Sequence, residues 1–194
     1  MFLNNPEYVK IGEKKYKINT DFRVAIECDQ IANDKSIGEY ERPLAIIYLL
    51  FGEEGLRDFD NHVRLLELAK KYLSCGKDLE SVKSENKDMD FKQDMEYIEA
   101  SFMSNYQIDL TKIKMHWWTF FKLLNGLSNS ELGNCCILNR IRNLRNYDLK
   151  DIKDSKEREK ILKAKEQVAL KKEEVKLTKE QQKSVDEFYK SIGF

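Results

Sequence analysis

Glycine and proline are scarce in this chain, which has only 8 and 2 of them among its 194 residues. A sandwich or barrel of many short strands needs a turn about every 8–12 residues, and these two residue types supply much of the turn geometry. The composition is 41% apolar, 11% aromatic and 35% charged, which is enough apolar material for a core at this length. We therefore predict a mainly α fold, a compact multi-helix domain.

The first 18 residues predict a short N-terminal β-hairpin. Val9 and Ile11 alternate with polar neighbours, and the chain then turns at Gly12. Tyr16 and Ile18 repeat the alternation after the turn. An apolar-polar alternation with a period of two is typical of half-buried strands.

Apolar residues at helical spacing predict helices over about 21–33, 43–51, 58–74, 91–106, 115–125 and 130–145. Asn19 or Thr20 is the expected N-cap of the first helix. The second begins near Pro43 and is expected to end before Gly52. It is apolar on nearly every face, so we expect it to be the most buried element. Gly76 is the expected C-cap glycine of the third helix.

The domain organisation follows from where the charge lies. Residues 1–150 are predicted to form the helical domain with its hairpin, and the charged, poorly periodic residues 77–90 to form a mobile linker within it. Residues 151–194 are predicted to form a charged helical extension. We expect a long exposed helix there, followed by a last helix over 178–192.

No feature of the sequence indicates export, a membrane or a bound metal. The longest apolar run, Leu44 to Phe51, is far shorter than the roughly 20 residues that cross a bilayer. No secretory signal is visible at the N-terminus. None of the cysteines stands in a Cys-x-x-Cys pair, and with two histidines no zinc site of usual spacing can be written. We expect a protein of a reducing cytoplasm, with no metal, no cofactor and no membrane partner.

Catalytic motifs are absent as well. The sequence holds no nucleophile elbow, phosphate-binding loop, dinucleotide turn or His-Glu-x-x-His pair. His62 lies in a charged helix, and His116 precedes two tryptophans, where a helix-capping or interface-packed imidazole is the ordinary interpretation. We therefore expect no enzymatic activity.

Nucleic-acid binding is also disfavoured. The 34 basic residues are balanced by 34 acidic ones. The most basic stretch contains Arg140, Arg142 and Arg145, but the first two diverge around a helix, and nearby aspartates dilute the potential. We expect no nucleic-acid partner.

Four aromatic residues form the candidate partner-binding site. Trp117, Trp118, Phe120 and Phe121 occupy four of five successive positions, so their rings cover more than half of a helix circumference. Other helices could pack on every side, or one side could face a partner protein, because large aromatic residues are enriched at interface centres. Both interpretations remain open from the sequence.

Four segments resemble the bacteriophage "gene product fifteen" family of tailed phages and prophages of Gram-positive bacteria. They are Ile-Asn-Thr-Asp-Phe-Arg-Val-Ala-Ile-Glu (18–27), Tyr-Ile-Glu-Ala-Ser-Phe-Met-Ser-Asn-Tyr-Gln-Ile-Asp-Leu (97–110), Met-His-Trp-Trp-Thr-Phe-Phe-Lys-Leu-Leu-Asn-Gly-Leu (115–127) and Ile-Arg-Asn-Leu-Arg-Asn-Tyr-Asp-Leu (141–149). The Met-His-Trp-Trp block followed by Asn-Gly-Leu is the most specific part. The resemblance extends in order from about residue 8 to residue 170.

The resemblance implies a tail assembly chaperone, with no catalytic residues to carry over. Such a protein would bind the long helical tape-measure protein, keep it soluble in the host cytoplasm, and be absent from the mature virion. Tail-tube protein, a companion chaperone or a second copy of the chain are further expected partners. Two alternatives stay open: a structural tail component retained in the virion, and a nucleic-acid-binding regulator.

Overall fold

A computed structural model describes residues 5–77, 87–129, 135–150, 152 and 154–171. Within these residues the chain forms one hairpin and seven α-helices, so the mainly α prediction is confirmed. The predicted last helix over 178–192 and residues 78–86 of the predicted linker lie outside the described residues.

The predicted hairpin is present. Strand β1 (Tyr8–Ile11) pairs antiparallel with β2 (Lys14–Lys17), and Val9 lies opposite Tyr16. Gly12 has a φ of +57° in the connecting turn, a conformation that costs glycine little. The side chain of Tyr16 is 1% exposed and packs in the hydrophobic core, which connects the hairpin to the helices.

The helices are α1 (Phe22–Asn33), α2 (Glu41–Arg57), α3 (His62–Leu73), α4 (Met95–Tyr106), α5 (Trp117–Asn125), α6 (Ile137–Asn146) and α7 (Ser155–Val168). A 3-10 turn over Phe59–Asn61 joins α2 to α3. Along the chain, α1 packs on α2 and on α5, and α2 packs on α3. Helix α4 contacts α5 and α6, and α6 packs against α7.

The first helix begins at a different cap from the one predicted. Asp21 is the N-cap of α1, and its carboxylate accepts the backbone N–H of Arg23. The expected caps have other backbone partners: Asn19 donates its N–H to the Leu50 carbonyl, and the Thr20 carbonyl accepts the N–H of Trp117. These tertiary hydrogen bonds hold Asn19 and Thr20 outside the helix, so α1 begins only after Asp21.

Helix α2 is interrupted at the glycine that was expected to end it. Gly52 leaves helical geometry, with φ of 66° and ψ of −162°. Such a conformation is restricted essentially to glycine. The regular helix therefore ends before Gly52, as predicted, and a second short helical segment follows the kink as far as Arg57.

The same helix is not buried on every face. Ile46, Ile47, Leu50 and Phe51 are buried, whereas Leu44 is 39% exposed and Tyr48 is 50% exposed. The outward face is therefore exposed, although α2 still holds five buried residues, more than any other described helix. The reason is that α1, α3 and β2 cover only the inward side of α2.

Helix α3 ends in a Schellman motif. The backbone N–H of Cys75 bonds to the Tyr72 carbonyl, and that of Gly76 bonds to the Lys71 carbonyl. Cys75 takes the left-handed position with φ of 55°, and Gly76 follows with φ of 75°. The predicted cap glycine thus lies one residue beyond the position that closes the helix.

Residues 87–90 of the predicted linker are held in place. Asp88 forms an ion pair with Arg142 at 3.1 Å, and its carbonyl accepts a hydrogen bond from Arg145 at 2.9 Å. Asp90 caps the turn that precedes α4 by accepting the N–H groups of Lys92 and Gln93. Residue Asp88 therefore has partners on α6 that are distant in sequence, and the mobile linker over 77–90 stays a prediction.

The described part of the predicted extension includes the exposed helix α7. No residue of α7 is buried. Its end is tied down by polar contacts: Arg145 donates to the Val168 carbonyl at 2.6 Å, and the side-chain amide of Gln93 pairs with both backbone groups of Lys171. No helix among the described residues is long and apolar enough to cross a membrane.

Asp58 connects the hairpin to the junction between α2 and α3. From its hydrogen bonds we predict that the stability of the protein depends on pH. Its carboxylate accepts from Lys14 Nζ at 2.6 Å, from the Tyr16 hydroxyl and from Asn61 Nδ2 at 3.0 Å. These donors lower the pKa of Asp58 to about 2. The unfolded pKa is about 3.9, so the ionised carboxylate favours the folded state above about pH 4, and this contribution is lost as the pH falls toward about 2.

We expect the Asp58→Asn variant to lose this acid dependence. The wild-type protein should lose more of its thermal stability between about pH 5 and about pH 2 than Asp58→Asn does. Melting followed by far-UV circular dichroism at several pH values measures the difference. Asp60→Asn, which removes a neighbouring exposed carboxylate, is the control and should follow the wild-type curve. Parallel curves for wild type and Asp58→Asn would contradict the prediction.

Candidate partner-binding surface

His116 fixes the start of the aromatic helix α5. Its Nδ1 accepts the backbone N–H of Trp118 at 3.0 Å, which makes it the N-cap of α5. Its Nε2 therefore carries the proton, which it donates to the Pro6 carbonyl at 3.0 Å. Both ring nitrogens are thus used in structure, and His116 is a capping residue.

Two of the four predicted site residues are core residues. Phe120 is 0% exposed and Trp117 is 4% exposed. Phe120 stacks on Phe22 with 4.5 Å between the ring centroids and on Phe102 with 5.1 Å. The rings of Trp117 and Phe120 are therefore covered by α1, α4 and the segment before α4, and they offer no surface to a partner.

The other two, Trp118 and Phe121, are partly buried at the corner where α3 ends. Trp118 Nε1 donates to the Tyr72 carbonyl at 2.9 Å, and Trp117 Nε1 donates to the Leu73 carbonyl at 3.0 Å. The two indoles thus satisfy carbonyls in the last turn of α3. The Lys77 ammonium lies 5.8 Å from the centroid of the Phe121 ring. Trp118 and Phe121 retain exposed area, but the four rings do not form one continuous surface.

An exposed apolar surface lies instead on the outward side of α2. Tyr40, at the N-cap, is 90% exposed, Leu44 is 39% exposed and Tyr48 is 50% exposed. These three residues, hereafter the α2 surface, follow one another at four-residue spacing and so share one side of the helix. The four-residue spacing can be seen in the sequence. It does not stand out as an exposed side of the helix, because almost every residue from Leu44 to Phe51 is apolar.

A cavity of about 640 Å³ opens where the α2 surface meets the bend at Gly52. One wall is the end of α2, from Tyr48 to Glu53, and the other is the chain between β2 and α1, from Lys17 to Thr20. Ile18 and Leu49 contribute apolar lining, while Asn19 and Thr20 contribute polar groups. The cavity could accept a side chain of a partner that lies along α2.

Two of the three basic residues of α6 are engaged within the protein, whereas Arg140 is exposed. Arg145 forms an ion pair with Asp94 and Arg142 forms one with Asp88, so neither guanidinium projects toward a separate phosphate-binding surface. In the described part of the chain, no group of three or more His, Cys, Asp or Glu residues is arranged to hold a metal ion. Protein contact is the chemistry that the exposed apolar residues favour.

Comparison with protein families decides the relationship. A family model described as bacteriophage Gp15 protein matches residues 3–170. The chain belongs to this family. The match spans both strands and all seven described helices of the fold, and it confirms the resemblance seen in the sequence. No curated protein and no solved structure matches the chain. Membership of the Gp15 family makes this a phage-related protein.

Proposed function

We propose that this Gp15-family protein is a non-enzymatic tail assembly chaperone that binds the tape-measure protein during tail morphogenesis. Family membership supports the phage setting. The observation that carries the binding role is the α2 surface, in which Tyr40, Leu44 and Tyr48 are exposed side by side. A soluble protein that exposes apolar side chains in a row has a surface suited to another protein.

The geometry of the α2 surface suits a helical partner. Tyr40 and Tyr48 are eight residues apart, which corresponds to about 12 Å along a helix axis. An amphipathic helix presents apolar anchors at similar intervals and can lie against such a row. The adjoining cavity beside Gly52 offers a place for one larger anchor. A tape-measure protein, which is long and helical, would present such anchors and would aggregate if they stayed uncovered.

Release is as important as binding for a chaperone. Leu44 and Tyr48 are 39% and 50% exposed in the free protein, so covering them would give a moderate gain and not a permanent interface. Tail-tube subunits that polymerise around the tape-measure protein could then displace the chaperone. In this proposal the protein acts in the host cytoplasm and is left out of the mature virion.

Co-expression with the tape-measure protein encoded in the same phage tests the function. We expect the soluble fraction of the tape-measure protein to rise several-fold when this chain is present, and the two proteins to co-purify. Equal solubility with and without this chain would contradict the proposal. Mass spectrometry of purified virions separates the alternative: a structural tail component would be present at fixed stoichiometry, and a chaperone would be missing.

Substitutions on α2 test the surface itself. We expect the double change Leu44→Asn and Tyr48→Asn to abolish most of the gain in tape-measure solubility while leaving the far-UV circular dichroism spectrum unchanged, since both side chains face solvent. The matched control is Phe59→Asn with Val63→Asn, which removes two side chains that are 78% and 77% exposed near the start of α3. If the control loses as much activity as the α2 pair, the binding surface is not on α2.

A further inference from the structure

The outward face of the hairpin is basic. In the strand register, Tyr8 lies opposite Lys17 and Lys10 lies opposite Lys15, so these four side chains share one face. All four are exposed. The other face carries the buried Tyr16 and packs against the helices.

The lysines of this face lack acidic partners. Among the described residues, no carboxylate forms an ion pair with Lys10, Lys15 or Lys17, whereas Lys14 on the opposite face is paired with Asp58. Lys10 and Lys15 stand directly opposite each other, an arrangement of like charges that destabilises a sheet. The Lys15 ammonium lies over the ring of Tyr8, 3.7 Å from its centroid. The fold thus keeps three positive charges together, and none of them forms an ion pair with a described carboxylate.

One edge of the hairpin is open. The Ile18 N–H bonds to the Glu7 carbonyl, so the ladder pairs every second residue of β1 with β2. By this alternation the backbone groups of Tyr8 and Lys10 point away from β2. In the part of the chain that the structure describes, β1 has no second neighbouring strand. Among the described residues, Tyr8 and Lys10 therefore combine outward-pointing backbone groups with side chains on the basic face.

We propose that the hairpin binds an acidic extended segment of a partner protein, which adds to the edge of β1 as a third strand. Its backbone would bond to Tyr8 and Lys10, as in other peptides that extend a sheet. Carboxylates at every second position would lie on the basic face, close to Lys10 and within reach of Lys15. This site is distinct from the α2 surface and does not depend on the tape-measure proposal.

Charge selects this occupant over the others. A second copy of the hairpin would bring lysines against lysines, and such edge lysines are a recognised barrier to self-pairing of sheets. Duplex DNA would satisfy the charges but offers no peptide groups for the edge of β1. An acidic strand satisfies both the lysines and the backbone groups.

Binding of a designed peptide to the full chain tests the proposal. The probe is a dye-labelled peptide of alternating glutamate and valine, and its affinity is measured by thermophoresis at low salt. We expect binding that weakens about fivefold in the double variant Lys10→Gln, Lys15→Gln, because two surface ion pairs are lost. The control variant Lys35→Gln, Lys70→Gln removes two exposed lysines elsewhere and should bind as the wild type does.

A second probe separates strand addition from simple charge attraction. The same peptide with N-methyl groups at alternate residues keeps its carboxylates but cannot donate to the β1 edge. We expect its affinity for the wild-type protein to fall at least fivefold, and duplex DNA at the same charge concentration to compete poorly. No binding of the first peptide, equal binding of the methylated one, equal weakening in the control variant, or efficient competition by DNA would each overturn the proposal.

Discussion

Replacing Arg145 by methionine is expected to lower the free energy of unfolding by about 3–5 kcal/mol. Arg145 donates to both oxygens of the Asp94 carboxylate, each at 2.7 Å. The side chain of Asp94 is 0% exposed and that of Arg145 is 10% exposed. Without the guanidinium, the Asp94 carboxylate would remain buried with no opposing charge. An unpaired buried charge destabilises the folded state strongly.

Urea unfolding at pH 7, followed by far-UV circular dichroism, measures this loss. The matched control is Arg142→Met, one turn earlier on α6. Its ion pair with Asp88 is more exposed, with 34% and 28% of the two side chains accessible, so we expect a loss below about 1 kcal/mol. If the two variants lost the same free energy of unfolding, the burial of the Asp94–Arg145 ion pair would not increase its contribution to stability.

Replacing Phe120 by alanine is expected to cost about 3–5 kcal/mol of stability. The ring is fully buried and stacks between Phe22 and Phe102, so its removal leaves a cavity that three helices would have to close. The same urea experiment measures the change. Phe59→Ala, at a side chain that is 78% exposed, is the control and should change stability by less than about 0.5 kcal/mol.

This pair of variants also separates the two interpretations of the aromatic helix. If Phe120→Ala left stability unchanged and reduced tape-measure binding, the ring would belong to a partner surface after all. A large loss of stability supports the core assignment. In that outcome, any role of α5 in binding would be restricted to the partly buried Trp118 and Phe121.

Most of the secondary structure could be predicted from the sequence because its signals are local. The alternation around Gly12 predicts the hairpin, and the spacing of Ile98 and Phe102 predicts α4; both residues of that pair are fully buried. A period of two or of 3.6 residues needs only a short window of sequence to be visible. Where tertiary hydrogen bonds set the backbone conformation, as at Asn19 and Thr20 before α1, the predicted N-cap was wrong.

Both the aromatic residues of α5 and the α2 surface were harder to assess from the sequence. Whether their side chains are exposed depends on which other elements pack against each helix. The sequence places aromatic rings all around α5 but cannot show that α1 and α4 cover Phe120 while α3 covers part of Trp118. Conversely, a run as apolar as that of α2 conceals which side is left exposed. The pairing of Asp94 with Arg145 joins residues that are 51 positions apart, and no local pattern predicts it.

The corner between α3 and α5 has a practical consequence for experiments. Trp117 and Trp118 are the only tryptophans of the chain, and both indoles are hydrogen-bonded to carbonyls at the end of α3. Intrinsic emission excited at long ultraviolet wavelengths therefore reports on this single corner. A red shift that precedes the loss of helix during denaturation would mean that the corner opens before the rest of the protein, and a simultaneous change would mean that the molecule unfolds as one unit.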